Sequence, residues 1–251
     1  MHRFFVSSEV LARDPVTLTG AQAHQIRRVL RLRLGDRITL LDNRGWAHEG
    51  ILITLADDEA RFQIVRRWEA GGEPRVRVVL YQAVIKGERF EWLLQKGTEL
   101  GVSRFVPTIC ERNVVADMVA IEDRRQRWER IIQEAAEQSG RSRKPELAAA
   151  ELFQSAMQPI QRTPEAANIL RLIAWEGERV ATVRGLIGDR NLLPGARIDI
   201  FVGPEGGFTP PEVQLAQQHG LHPVTLGPRT LRAETAGIVA STIVLYEAGD
   251  L

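Results

Sequence analysis

Cysteine, lysine and long apolar runs are nearly missing from this chain, and each scarcity narrows what it can be. One cysteine, Cys110, stands among 251 residues. It cannot close an internal disulfide, and a reducing cytoplasm is the expected compartment. No apolar run reaches the roughly 18 residues of a membrane-spanning helix, so no membrane association is expected. Arg3, Glu9 and Arg13 interrupt any apolar core near the N-terminus, so no secretory leader is expected either. The histidines, His2, His24, His48, His219 and His222, have no ligand spacing with Cys110, and no metal is expected. Excess charge is also lacking: the net charge is +1, which by itself announces no nucleic-acid partner. Lysine occurs only at Lys86, Lys96 and Lys144 among 33 basic residues. A GC-rich genome produces that bias, and arginine forks also suit phosphates and stack on bases.

What is present divides into two patterns. Residues 1–70 read as a small β-rich domain. Its strands are expected over 2–6, 37–42, 46–55 and 60–68, with a hairpin turn at Asn43-Arg44-Gly45 and a helical rhythm over 21–32. The stretch 69–74 carries two glycines and a proline and reads as the linker. From residue 75 to 251, short apolar strands alternate with helices. Strands are expected over 76–84, 104–110, 169–176, 197–203 and 223–227, and helices over 88–101, 125–140, 211–220 and 233–248. The strands are almost continuously apolar, as in a largely parallel sheet covered on both faces. The stretch 141–163 is the least informative.

The sharpest motif is FVGPEGGFTPPEV, 201–213. An apolar strand runs into Gly203, Pro204, Glu205, Gly206 and Gly207. A helix start follows, with Thr209 as N-cap, Pro210 at the first position and Glu212 closing a capping box. Ligands of open α/β sheets bind at such strand ends. The spacing fits neither a phosphate loop nor a dinucleotide fingerprint. The second motif is TLGPRTLRAETAGIVAST, 225–242. Here a strand again ends in Gly-Pro, and Arg229, Arg232 and Glu234 crowd the start of a small, apolar helix.

These paired loops resemble the uridine-N3 methyltransferase family of the SPOUT superfamily, which acts on 16S RNA of the small ribosomal subunit. KGERFEWLLQKGTELGV (86–102), ERNVV (111–115), EAAEQSGR (134–141), HRFFV and HQIRRVLRLRLGD (24–36) extend the resemblance over nearly the whole chain. Thr230 and Ala233 depart from the family pattern without removing a charge, and 141–165 fits poorly. The resemblance implies a C-terminal SPOUT domain with a deep trefoil knot, an N-terminal PUA-like β-barrel that holds RNA, a homodimer, and S-adenosylmethionine (SAM) as methyl donor without a metal. It places the SAM pocket at three loops: Trp175, Glu176 and Gly177; Gly203, Pro204, Glu205, Gly206 and Gly207; and Leu226, Gly227 and Leu231.

Uracil N3 carries a proton and is a poor nucleophile. Arg232 is the expected stabiliser of charge on O2 or O4, and Glu234 or Glu205 the expected base. For RNA, the expected contacts are Arg3, His24, Arg27, Arg28, Arg31, Arg33, Lys86, Arg112 and Arg141. Arg27 and Arg31, four apart, should share a helix face. Of Phe4 and Phe5, neighbours on a strand, at least one should be core. Two other readings stay open: a SPOUT enzyme acting on another RNA position, and a non-catalytic RNA-binding protein.

Overall fold

A five-stranded sheet and a larger parallel sheet each build their own core. The structure is a computed structural model that describes residues 1–114, 117–161, 169–188, 192 and 194–251. Val115 of the ERNVV motif and residues 162–165 lie outside the described residues. One compact unit comprises Met1–Glu73 with Ala136–Lys144; the other comprises Pro74–Ala135 and Pro145–Leu251.

In the first unit, β1 (His2–Phe5), α1 (Ser8–Leu11), β2 (Val16–Thr19) and α2 (Gly20–His24) are followed by a π-helical turn, Gln25–Val29. Then come β3 (Arg37–Leu41), β4 (Trp46–Leu55) and β5 (Glu59–Glu69). The sheet order is β1-β3-β4-β5-β2, antiparallel except for β1 beside β3. Phe4, Leu18, Ile26, Ile38, Leu40, Leu52 and Phe62 form its core. Phe5 turns to the opposite face and packs with Leu41, Ala47 and Ala136. Both phenylalanines of HRFFV are therefore core, because both faces of β1 are covered. Strand β2, which no sequence pattern announced, is the edge that pairs Val16 with Phe62.

The second unit runs β6 (Arg77–Ala83), α3 (Arg89–Leu100), β7 (Arg104–Ile109), α4 (Met118–Glu122), α5 (Arg125–Ser139), β8 (Glu146–Leu147) and β9 (Glu151–Leu152). It continues through α6 (Phe153–Gln161), β10 (Ile169–Ala174), α7 (Val183–Gly188), β11 (Arg197–Val202), α8 (Pro210–Gln218), β12 (His222–Val224) and α9 (Ala233–Glu247). The order is β12-β10-β11-β6-β7-β8, with β9 also on β7, and every pairing is parallel. Strand β6 shows why its sequence is continuously apolar: Val78 and Leu80 enter one core and Val79 and Tyr81 the other. Full burial of each such side chain is worth about 1.5–3 kcal/mol. Helix α8 starts as its sequence predicts. The Thr209 side chain accepts from the Glu212 amide, and Glu212 accepts from the Thr209 amide at 2.8 Å.

Candidate active site

Strands β12, β10 and β11 are neighbours, so the segments leaving their C-terminal ends converge. Together they line a cavity of about 690 Å³, within the ordinary range of small-molecule sites. From the segment after β10 come Trp175 and Glu176, from that after β11 Gly203 to Phe208, and from that after β12 Thr225 to Ala233. Arg89, Ala174, Arg179, Val202 and Ala236 complete the wall. Every residue expected to hold the cofactor lines this cavity except Gly177. Its role is local: a Cβ there would strike the Trp175 ring, so glycine lets the indole fold over its own turn.

The glycines of the central loop serve close approach. Gly207 has φ +67, and a Cβ would meet the Glu176 carboxylate. A Cβ on Gly206 would lie 3.1 Å from Arg112 Cβ. Two arginines hold this loop. Arg112 Nη1 donates to the Gly206 carbonyl at 3.0 Å. Arg89 Nη2 donates to Glu205 Oε1 at 3.2 Å, where the Lys86 amide also donates at 3.3 Å. Arg112 and Lys86, expected at RNA, are both exposed; Arg112 spends part of its guanidinium on the loop, whereas Lys86 gives it only a backbone amide.

The expected catalytic residues fall into three situations. Arg232 is the N-cap of α9, is exposed and lines the cavity. Its guanidinium has no hydrogen-bond or ion-pair partner among the described residues. Glu205 lines the cavity but is committed to Arg89. Glu234, in the first turn of α9, is 7% exposed and does not line the cavity, and its Oε2 has no hydrogen-bond partner among the described residues. The cavity wall thus carries four arginines, Arg89, Arg179, Arg229 and Arg232, against two glutamates, Glu176 and Glu205. Arg89 and Arg179 are additions to the sequence expectation. Arg89 lies inside the KGER motif and was findable there; Arg179 has no motif around it. Cys110 is buried, and that burial pushes its thiol above the ordinary range, away from the thiolate form. Among the described residues, no group of three histidine, cysteine or acidic side chains could hold a metal ion.

The C-terminal region matches the RNA methyltransferase domain model over residues 72–245, and residues 18–65 match the RNA methyltransferase PUA domain model. The chain belongs to the ribosomal RNA small subunit methyltransferase E family. It is 31% identical to the Bacillus subtilis member over 98% of this chain and 97% of that protein. It is 36% identical to the Synechocystis member over 95% of this chain and 75% of that protein. The Neisseria gonorrhoeae member, solved bound to S-adenosyl methionine, superposes with TM-score 0.84 at 33% identity, covering 97% of this chain and 96% of that one. The fold is accordingly a PUA-like unit joined to a SPOUT-type α/β domain.

Within this family frame the expected RNA residues separate. His24, Arg28, Arg31 and Arg33 are exposed, as is Arg3. Arg27 is ion-paired with Asp57. Arg31 does not share a helix face with Arg27. The helical run ends at Val29, and Arg31 sits beyond it in the left-handed region, with φ +54. Arg3 packs its guanidinium against Gly140, where a Cβ would lie 2.8 Å from Nη1. Arg141 is 3% exposed and donates to Glu73 Oε2 at 2.7 Å. Glu73 Oε1 also accepts from the amides of Ser142 at 3.0 Å and Arg143 at 2.9 Å. Arg141 is thus a structural residue of the first unit, not an outward phosphate contact. The EAAEQSGR motif acts likewise: Glu137 accepts from the Phe5 amide at 3.0 Å.

Proposed function

We propose that this chain is a SAM-dependent methyltransferase that methylates N3 of a uridine in 16S RNA of the small ribosomal subunit. The observation that carries the reading is the cavity at three adjacent strand ends with an uncommitted arginine, Arg232, in its wall. The residues present suit SAM. Backbone of Gly203–Gly207 and Leu226–Leu231 can hold an adenine, apolar Trp175, Leu226 and Leu231 can pack against it, and Glu176 offers a carboxylate to its positive charge. When bound, SAM supplies an electrophilic methyl group.

The chain's own residues then have distinct tasks. The loops align acceptor and donor. Arg232, at the N-terminal end of α9 where the helix dipole already favours negative charge, stabilises the uracil imide anion at O2 or O4. Of the two expected bases, Glu205 is the one in the cavity wall, and it is available to a proton only when its contact with Arg89 opens; Glu234 is buried behind the wall. Arg179 and Arg229 give the mouth a positive surface for phosphate.

A homodimer is part of the proposal. Helix α9 is apolar on every side, with Glu234 and Glu247 its only charges, a composition that calls for full burial. Yet Ile238, Val239 and Ile243 are only partly buried, and Tyr246 is 66% exposed. A second copy against this face would supply the missing cover. A cytoplasmic location is part of the same proposal, since the small ribosomal subunit is the proposed substrate.

The test is mass spectrometry of 16S RNA nucleosides from cells lacking the protein, with calorimetry of the purified chain and SAM. Loss of one N3-methyluridine, together with SAM binding, is expected. An unchanged nucleoside profile with SAM binding would favour another RNA position, and no SAM binding would favour the non-catalytic reading.

A further inference from the structure

The hairpin end of the first unit carries an aromatic and basic patch that the methyl-transfer site does not use. Trp46, at the start of β4, is 38% exposed on a strand face. The Arg67 guanidinium lies 4.2 Å from its ring centroid. Cross-strand register explains the pair: His48 faces Arg67 and Trp46 faces Glu69, so Arg67 reaches diagonally along one face onto the indole. Three more cations gather at the turn. Arg44 is in it, Arg143 donates to the Arg44 carbonyl at 3.1 Å, and the Lys144 amide donates to Asn43 at 2.6 Å. Of the nearby acids, Asp42 uses Oδ1 to accept from the Arg44 and Trp46 amides at 2.7 and 3.0 Å. Asp42 keeps its charge, so Asp42, Glu69 and Glu73, which accepts from the Arg143 amide at 2.9 Å, stand against four cations, an excess of one positive charge.

We propose that this Trp46–Arg67 patch is a second RNA-contacting surface that stacks an unpaired nucleobase. An isolated exposed tryptophan would need no explanation. An exposed indole with one guanidinium plane on it and cations around it has the two features that bind single strands: a stacking platform and a positive track for phosphates. It is suited to loops and ends, whose bases are free to stack, more than to duplex RNA. The surface is separate from the Arg27–Arg33 segment. The patch rests on the rRNA function proposed above and deepens it, and the test below separates the two.

The experiment measures binding of the full chain to a single-stranded oligouridylate and to a duplex of equal length, over a range of salt. Trp46→Ala should weaken single-strand binding about tenfold, in line with losing one stacked base. Its salt slope should stay unchanged. Trp46→Phe should restore most of the loss, and duplex binding should hardly move. Arg67→Ala should weaken binding and flatten the single-strand slope by about 0.7 for each phosphate it no longer neutralises. Wild-type affinity in Trp46→Ala, or equal losses for single strand and duplex, would overturn the proposal. So would intact oligonucleotide affinity with lost binding to the small ribosomal subunit, which would make the patch a protein-binding surface. Methylation of 16S RNA by the wild type is read separately. Trp46-dependent oligonucleotide binding without methylation upholds the patch and defeats the proposed function. Methylation with Trp46-independent binding does the reverse.

Discussion

Arg232 and Arg141 stand in family motifs of equal prominence, and the structure gives them opposite circumstances. Arg141, in the Ala136–Lys144 segment, is 3% exposed and bound to Glu73. Arg232, at the start of α9, is exposed in the cavity wall with no partner among the described residues. The same side chain therefore holds a fold in one region and is left open to the cavity in the other. What separates them is not position in a motif but whether a carboxylate of the same unit has already claimed the guanidinium. Arg89 and Arg112 stand between the extremes. Each is spent on the GPEGG loop, and each shapes the cavity from outside or at its edge.

The comparison breaks most visibly at Arg141. Removing it leaves a partly buried Glu73 without its ion pair, held by the Ser142 and Arg143 amides, so the cost should stay below the roughly 3–5 kcal/mol of breaking a fully buried pair. Arg141→Ala should lower the urea midpoint markedly, with a SAM affinity unchanged in the folded fraction. A midpoint equal to wild type would show that the pair contributes little. A smaller effect is expected at the loop clasp. Arg89→Ala frees Glu205 and loosens Gly203–Gly207, so SAM affinity measured by calorimetry should fall roughly tenfold, about 1.4 kcal/mol. Glu205→Gln should imitate it. If Glu205→Gln instead abolishes turnover at saturating SAM, Glu205 is the base and its pairing with Arg89 is a resting state.

The Arg27–Arg33 segment should respond in graded fashion. Arg28→Ala and Arg31→Ala should each weaken RNA binding and reduce the salt slope by about one if each touches one phosphate. Arg27→Ala should do less, because Asp57 already pairs with it. Its effect on stability should be about 0–1 kcal/mol, as for exposed ion pairs. Equal slopes for all three variants would show that the Asp57 pair opens when RNA binds.

Much of this was legible in the sequence, for identifiable reasons. Strands β6, β7, β10 and β11 announced themselves because two covered faces require unbroken apolar runs, and α8 because Thr209, Pro210 and Glu212 state a helix start in four residues. Two of the cavity loops were legible because Gly-Pro marks their strand ends; the third, at Trp175–Gly177, was expected only from the family resemblance. What stayed hidden depends on contacts between distant residues. Nothing local shows that residues 136–144 group with the N-terminal sheet, that Arg141 meets Glu73, or that Glu205 meets Arg89 across 116 positions. The helix expected over 21–32 is there, but it stops at Val29 and is not α-helical throughout. Its apolar rhythm is genuine, but the turn at Gln25–Val29 widens to a π-helix and the chain leaves it at Leu30, so a spacing of four no longer means a shared face.

Whether Arg232 serves the reaction is decided by single-turnover methyl transfer in Arg232→Ala at saturating SAM and RNA, read beside a SAM titration and a urea melt. The expected rate is lower by about a hundredfold or more, the scale of removing one key electrostatic donor. SAM affinity and melting midpoint should be close to wild type, and Arg232→Lys should recover part of the rate. A normal rate, or a defect fully repaired by raising SAM, would contradict that role and make Arg232 a cofactor-loop residue.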